Sequence, residues 1–392
     1  MRSYRDVDVR GKRVLVREDL NVPLQDGAVA DDTRIRAALP TLRDLSRRGA
    51  RVIVMSHLGR PKGRVDPALS LRAVAARLSE LLGRPVGFAE DCVGDPAKRA
   101  VAELRDGDLL LLENVRFHPG DEANDASFAA RLGELGDLYV NDAFAASHRA
   151  HASVVGVADH LPAYAGELML AELGALHRAL DDPRRPLVAI VGGAKVSTKA
   201  GVLRNLLPKV DSLLIGGAMA NTFLKAEGRE VGTSLVEDEA LDEARAVVSM
   251  GGARLALPVD AVCARKPEAG QETRVFRVEA VEPGWMMLDI GPETQERFSE
   301  RVRDAGTVVW NGPVGVSEVA DFSAGTRALG EAIAGSNAYS LLGGGDTAAA
   351  VEQLGLAGRF SHISTGGGAT LEYLEGRDLP GVVALDRKGA LK

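Results

Sequence analysis

The sequence predicts an α/β protein built from two doubly wound, Rossmann-like parallel-sheet domains joined by a hinge helix. Three observations carry this expectation. The chain has 392 residues, more than a single core comfortably serves. Short apolar runs ending in polar or glycine-containing turns alternate with longer segments of helical period, the pattern of parallel strands with helices on both faces. That alternation occurs twice, on either side of one helical stretch closed by prolines.

In the first half, Arg13–Val16, Arg51–Met55, Leu109–Leu112 and Leu138–Val140 read as buried strands. Between the first two, DDTRIRAALPTLRDLSRRG places Ile35, Leu39, Leu42 and Leu45 on one helical face. Asp31 or Asp32 suits its start and Gly49 its end, while Pro40 predicts a kink or break inside it. Ser70 followed by LRAVAARLSELLG repeats the helical pattern and stops at Gly83. The connector is AGELMLAELGALHRALDDPRRP, residues 165–186, ended by Asp181, Asp182, Pro183 and Pro186. Beyond it, Leu187–Val191, Ser212–Ile215, Arg254–Leu257, Thr307–Trp310, Tyr339–Leu342 and Phe360–Ile363 read as strands.

Composition narrows the function classes. Apolar residues make up 45% of the chain and charged residues 26%, and the net charge is −7. That balance argues against a nucleic-acid or membrane-surface binder. No stretch approaches the ~20 apolar residues of a membrane helix, and the N-terminus lacks an apolar signal segment. A soluble, cytoplasmic protein is expected. Cys92 and Cys263 form no CxxC, no metal spacing and no disulfide framework, so two reduced thiols are expected.

In open parallel sheets, ligands bind beyond the carboxyl ends of the strands. The residues that follow the strands of the first half are rich in anion-binding groups: Asp19 and Asn21, then His57 and Arg60, then Arg116, then His148, Arg149 and His151, with Arg34 at the start of the first helix. One arginine after a strand is ordinarily a solvated surface residue. Several converging on one sheet edge beside histidines point to a small ligand with more than one negative charge. Asp19 and Asn21 would read its hydroxyl or carboxyl end, or merely form a turn that closes the strand.

The second half carries glycine runs at strand ends instead: VGGAKVSTK from Val191, IGGA from Ile215, WNGPVG from Trp310, LGGGDT from Leu342 and STGGG from Ser364. Glycine lets backbone N–H groups approach phosphate oxygens, and a following helix N-terminus adds a positive dipole. One such run is ordinarily a tight turn; five at strand ends favour a nucleotide bed. Neither a Gly-x-x-x-x-Gly-Lys-[Ser/Thr] loop nor a Gly-x-Gly-x-x-Gly turn opening a helix is present.

The segments VREDLNVP, SHLGRPKG, LLENVRF, VNDAFAASHRAHAS, IVGGAKVSTK, VWNGPVGVSE, LLGGGDTAAAV and STGGGATLEYLEG stand in this order. The chain thereby resembles the phosphoglycerate kinase family over essentially its whole length. The resemblance implies that ATP is made from ADP and 1,3-bisphosphoglycerate, leaving 3-phosphoglycerate, with Mg²⁺ as cofactor and a monomer as the usual state. It implies 3-phosphoglycerate contacts at Asp19, Asn21, Arg34, His57, Leu58, Gly59, Arg60, Arg116 and Arg149. For the nucleotide it implies Lys195, Lys199, Gly217, Asn311, Pro313, Glu318, Gly344, Gly345, Asp346 and Thr347, with Asp346 holding the metal. Gly366, Gly367 and Gly368 would greet the transferring phosphoryl group, and Arg34 and Lys199 would neutralise its charge. The implied domains are residues 1–168 for 3-phosphoglycerate and 169–375 for the nucleotide, with 376–392 returning to the first.

Departures from the family pattern are slight: Leu20 where an aromatic residue is common, Ser317 where a larger apolar one is, and Thr347 for a frequent serine. Two other readings remain. Another α/β transferase or dehydrogenase is disfavoured by the missing dinucleotide turn. A non-catalytic nucleotide sensor or scaffold should have lost one of Arg34, Lys199 or Asp346, and all three are present.

Overall fold

A computed structural model describes residues 1–387 of the chain. Its apolar runs pair into two six-stranded parallel sheets. The first sheet runs, edge to edge, Gly87–Ala89, Leu109–Leu112, Arg51–Met55, Arg13–Arg17, Leu138–Asn141 and Ala163–Ala165. Val14 lies opposite Val52 on one side and Leu138 on the other. On one face Val14, Val16, Val52, Val54, Leu109 and Leu111 share a core with Ile35, Leu39, Leu42 and Leu45 of the helix Thr33–Arg47, and with Val74 and Leu78 of the helix Arg72–Leu82. Each fully buried side chain of this size contributes roughly 1.5–3 kcal/mol. Gly83 closes the second of these helices in the left-handed conformation, φ 69°.

The second sheet runs Leu255–Ala256, Ser212–Ile215, Leu187–Val191, Thr307–Asn311, Tyr339–Gly343 and His362–Ile363. In chain order this is the 3-2-1-4-5-6 arrangement of a doubly wound fold, with its switch point between Leu187–Val191 and Thr307–Asn311. The described residues divide into two compact units: Met1–Leu173 with the segment from Asp378 onward, and Gly174–Arg377. The division falls within the helix Glu167–Leu180. The helix Pro380–Arg387 belongs to the first unit, where the Gly381 N–H donates to the Ser147 carbonyl at 2.9 Å. Residues 388–392, the end of the segment expected to return to the first domain, lie outside the described residues.

Three expectations need correction. The helix Thr33–Arg47 is continuous through Pro40. Pro40 is exposed, so the Arg36 carbonyl it deprives of a partner can turn to water, while the buried stripe on the opposite face holds the turns together. The edge strands Gly87–Ala89 and Ala163–Ala165 were not expected, being too short to show a period. The second unit also carries an antiparallel sheet, Arg274–Arg277, Asp260–Ala264 and Met286–Ile290. Ala261, Cys263, Trp285 and Met287 pack there with Leu224 of the helix Ala218–Ala226 in a small separate core.

Candidate active site

In the first unit the carboxyl ends of four strands gather the cations. Arg17, last in its strand, is wholly buried. It donates through Nε to Ser153 Oγ at 3.1 Å, through Nη1 to the Glu18 carbonyl, and through Nη2 to His57 Nδ1 at 3.0 Å. Arg116 lies in the short turn Val115–Phe117 and is nearly buried. It donates to the Gly59 carbonyl at 2.9 Å, and its Nε stands 3.6 Å from Glu122. Burial, and then the charges of Arg17, Arg116, Arg34 and His151, hold His57 well below the ordinary histidine range. Its ring is therefore neutral at neutral pH. Burial and the charge of Arg17 also lower Arg116, with Arg149 acting in the same sense. Positive groups this crowded, two of them lowered by burial and by like charge, mark a place where a bound anion would be favoured.

Two polar residues frame this cluster. Asn21 accepts the Gly59 N–H at 2.8 Å and so fixes the turn that follows the Arg51–Met55 strand. Asp19 accepts from Arg34 Nη1 at 2.5 Å and from the Asn21 N–H at 3.1 Å. Leu58 is packed in the core, and its carbonyl accepts from Asn114, so it can offer a ligand only backbone. Arg60 and Arg149 are exposed, and Arg149 donates to His148 at 3.1 Å. Arg17 and His151 were not among the expected 3-phosphoglycerate contacts, although His151 stood among the anion-binding groups after the strands. Arg17 ends the strand that was expected to stop at Val16, and the fold brings it against His57.

In the second unit, strand ends meet as backbone. Gly192 N–H donates to the Asn311 carbonyl at 2.9 Å, Gly193 to Pro313 at 3.0 Å and Gly217 to Val314 at 2.8 Å. A Cβ on Gly192 would stand 2.1 Å from the Pro313 carbonyl oxygen, and one on Gly312 (φ +96°) 2.2 Å from that of Gly192. Glycine is required at both. The helices Ala218–Ala226, Gly345–Gln353 and Gly368–Leu374 begin after Gly217, Gly344 and Gly367, and none has a side-chain cap. Met219 N–H donates to the Gly193 carbonyl at 2.9 Å and Ala369 N–H to that of Gly366 at 3.0 Å, which leaves the N–H groups of Ala218, Gly345, Asp346, Thr347 and Gly368 for a ligand or water. Gly366 precedes the last of these turns, its N–H donating to Ser364 Oγ at 3.1 Å.

Lys199 donates to the buried Asn311 side chain. Burial lowers its ammonium below the ordinary value, while Asp346 and Glu375 act in the opposite sense. The buried Thr347 hydroxyl accepts the Gly312 N–H at 2.7 Å. Lys195, Glu318 and Asp346 are exposed. Beside Gly217, a narrow cavity of about 20 Å³ is lined by Ala220, Leu224, Met287, Leu288 and Val314. Leu224, Met287 and Leu288 were not expected at a site, because apolar residues there are indistinguishable from core in the sequence.

Two doubly wound units, one presenting clustered cations and the other uncapped helix N-termini, define a phosphotransferase acting on small anions. Comparison with known proteins is specific. The family model described as phosphoglycerate kinase matches residues 4–377. The phosphoglycerate kinase of Pelotomaculum thermopropionicum is 56% identical over 387 residues, covering 98% of each chain. That of Rubrobacter xylanophilus is also 56% identical over 387 residues, covering 99% of this chain and 98% of its own. The solved phosphoglycerate kinase of Coxiella burnetii superposes with a TM-score of 0.92 at 44% identity, covering 98% of this chain and 99% of its own. That of Pyrococcus horikoshii gives 0.86 at 33% identity, covering 99% of both. The chain belongs to the phosphoglycerate kinase family, and is a phosphotransferase with a carboxyl group as acceptor. Nothing in these comparisons favours a non-catalytic sensor or scaffold.

Proposed function

We propose that the chain transfers a phosphoryl group reversibly between 1,3-bisphosphoglycerate and Mg·ADP, giving 3-phosphoglycerate and ATP. The observation that carries this reading is the cation cluster in which His57 and Arg116 are depressed by burial and by their charged neighbours. Asn21, His57, Arg60, Arg116 and Arg149, with the Leu58–Gly59 backbone, hold the phosphate and carboxylate of 3-phosphoglycerate. Asp19 orients its hydroxyl. Gly217, Asn311, Pro313 and Glu318 seat the nucleoside. Lys195, Gly344, Gly345 and Thr347 receive its phosphates.

Phosphoryl transfer asks a protein chiefly for positioning and for neutralisation of spreading charge. Arg34 and Lys199 supply cations to the phosphoryl group in flight, and the Gly366–Gly368 turn greets it, the N–H groups of Gly367 and Gly368 donating hydrogen bonds to its oxygens. The acyl phosphate is already activated, so no side-chain nucleophile is needed and transfer is in line. Asp346, an exposed carboxylate at a helix N-terminus near Lys199, fits Mg²⁺, a hard cation that takes oxygen ligands and neutralises phosphate charge. Direct transfer needs reacting atoms ~3–3.5 Å apart with water excluded, so the two units close about the Glu167–Leu180 helix when both ligands are bound.

A cytoplasmic monomer suits this reading, consistent with two free, buried cysteines. Among the described residues no helix is long and apolar enough to cross a membrane. The test is a coupled assay with 3-phosphoglycerate and Mg·ATP. Turnover that requires both substrates is expected; its absence in folded protein would overturn the reading. Light scattering on the same sample reports the oligomeric state.

A further inference from the structure

Apart from the anion cluster, the first unit brings His118 against the adjacent pair Asp91 and Cys92. Asp91 and Cys92 follow the edge strand Gly87–Ala89, and His118 follows the turn Val115–Phe117. Each offers a ligand atom, and these atoms all lie within 4.8 Å of one another. His118 Nε2 is 2.7 Å from Asp91 Oδ1, and its ring stacks on Phe128 at 5.2 Å, which fixes where that nitrogen points. Asp91 Oδ1 is held from the other side by the Cys92 N–H at 2.6 Å. The cluster borders a cavity of about 690 Å³ that Asp91, His118, Glu90, Glu113 and Phe117 help to line.

We propose that Asp91, Cys92 and His118 form a binding site for one borderline-soft divalent cation such as Zn²⁺. Sulfur, imidazole nitrogen and carboxylate oxygen are its preferred donors, and this mixture is foreign to Mg²⁺. With metal–ligand distances of ~2.0–2.3 Å, tetrahedral donors stand roughly 3.3–3.6 Å apart, so small side-chain rotations suffice. The cavity leaves a fourth position for water. On binding, the Cys92 S–H bond breaks and its proton goes to water, and His118 gives up the Nε2 hydrogen that faces Asp91 Oδ1, carrying its one ring hydrogen on Nδ1 so that the Nε2 lone pair can ligate.

Co²⁺ is the probe, because a thiolate ligand adds a charge-transfer band that oxygen and nitrogen ligands do not. Chelator-stripped full-length protein, without nucleotide, is titrated with Co²⁺. One equivalent is expected to produce the band, Cys263→Ser should retain it, and Cys92→Ser should abolish it. His118→Gln should weaken Co²⁺ affinity at least tenfold, and it decides the matter if Cys92→Ser fails to fold by circular dichroism. Zn²⁺ should displace Co²⁺ and erase the band. No band in the wild type at millimolar Co²⁺, a band surviving in folded Cys92→Ser, or unchanged affinity in His118→Gln would each overturn the proposal.

Discussion

In the first unit the groups available to an anion are side chains, Arg17, Arg34, His57, Arg116 and Arg149, among which His57 and Arg116 are lowered by burial and by the charges of the others. In the second they are largely backbone N–H groups at helix starts that follow Gly217, Gly344 and Gly367, with Lys199 as the partly buried cation among them. On the proposed assignment of ligands to units, their chemistry accounts for the contrast. A small, multiply charged acid offers little surface, so recognition must come from concentrated charge and bidentate donors. A nucleotide offers a long phosphate chain and an apolar base, which suit a bed of N–H groups beside an apolar slot. The first unit thus depends on long side chains held by neighbours, and the second on glycines whose replacement would drive a Cβ into backbone.

The largest expected effect falls on Lys199, the partly buried cation of the second unit. Lys199→Ala should lower kcat by roughly a hundredfold or more, the scale of a lost electrostatic donor, with 3-phosphoglycerate affinity almost unchanged. Steady-state kinetics would show it, and a near-normal kcat would remove Lys199 from the mechanism. Next is the distributed charge of the first unit. Arg149→Ala should weaken 3-phosphoglycerate by about 1.5–3 kcal/mol, the value of a hydrogen bond to a charged group, and binding to the wild type should fall steeply with salt. Salt-independent titrations would contradict it.

A third test uses one buried acid in each unit. Burial raises Asp142 to about 6, although it accepts the Met169 N–H, and raises Asp289 to about 7, although it accepts the Gly325 N–H. A carboxyl raised on folding contributes stability that is fully present below the unfolded value near 4 and is lost as pH rises through the folded value. Asp142→Asn should flatten the loss between pH ~4 and ~6, and Asp289→Asn that between ~4 and ~7, by on the order of 1–3 kcal/mol each. Thermal melts from pH 4 to 8 would check this; parallel curves for wild type and variants would refute it. The smallest effect belongs to Thr347→Ser. It keeps the hydroxyl that accepts the Gly312 N–H and should change kcat by less than about twofold, whereas Thr347→Val leaves that donor unpaired and should cost about 1–3 kcal/mol.

Much of this was legible in the sequence. Leu109–Leu112 and Leu187–Val191 are strands with the expected bounds, because strands buried on both faces are continuous apolar runs. The glycine turns were legible for a related reason: glycine is the one residue whose presence reports what the backbone must do. Arg274–Arg277 was not legible, being largely exposed and held by its neighbour Asp260–Ala264 rather than by its own pattern. Pro40 misled because propensity was weighed without the buried face that overrides it. Arg17 and Asp142 are buried charges, and which buried groups they meet is a property of the fold rather than of the segment that contains them.

The proposed division of labour sets cationic side chains in one unit against glycine turns and helix N-termini in the other. Calorimetric titration of 3-phosphoglycerate, and separately of Mg·ADP, into the full-length wild type, Arg116→Ala and Gly192→Ala proteins tests that division. Arg116→Ala is expected to lose 3-phosphoglycerate affinity by at least tenfold and keep Mg·ADP, and Gly192→Ala to do the reverse. Folded variants that lost both ligands equally, or kept both, would contradict it.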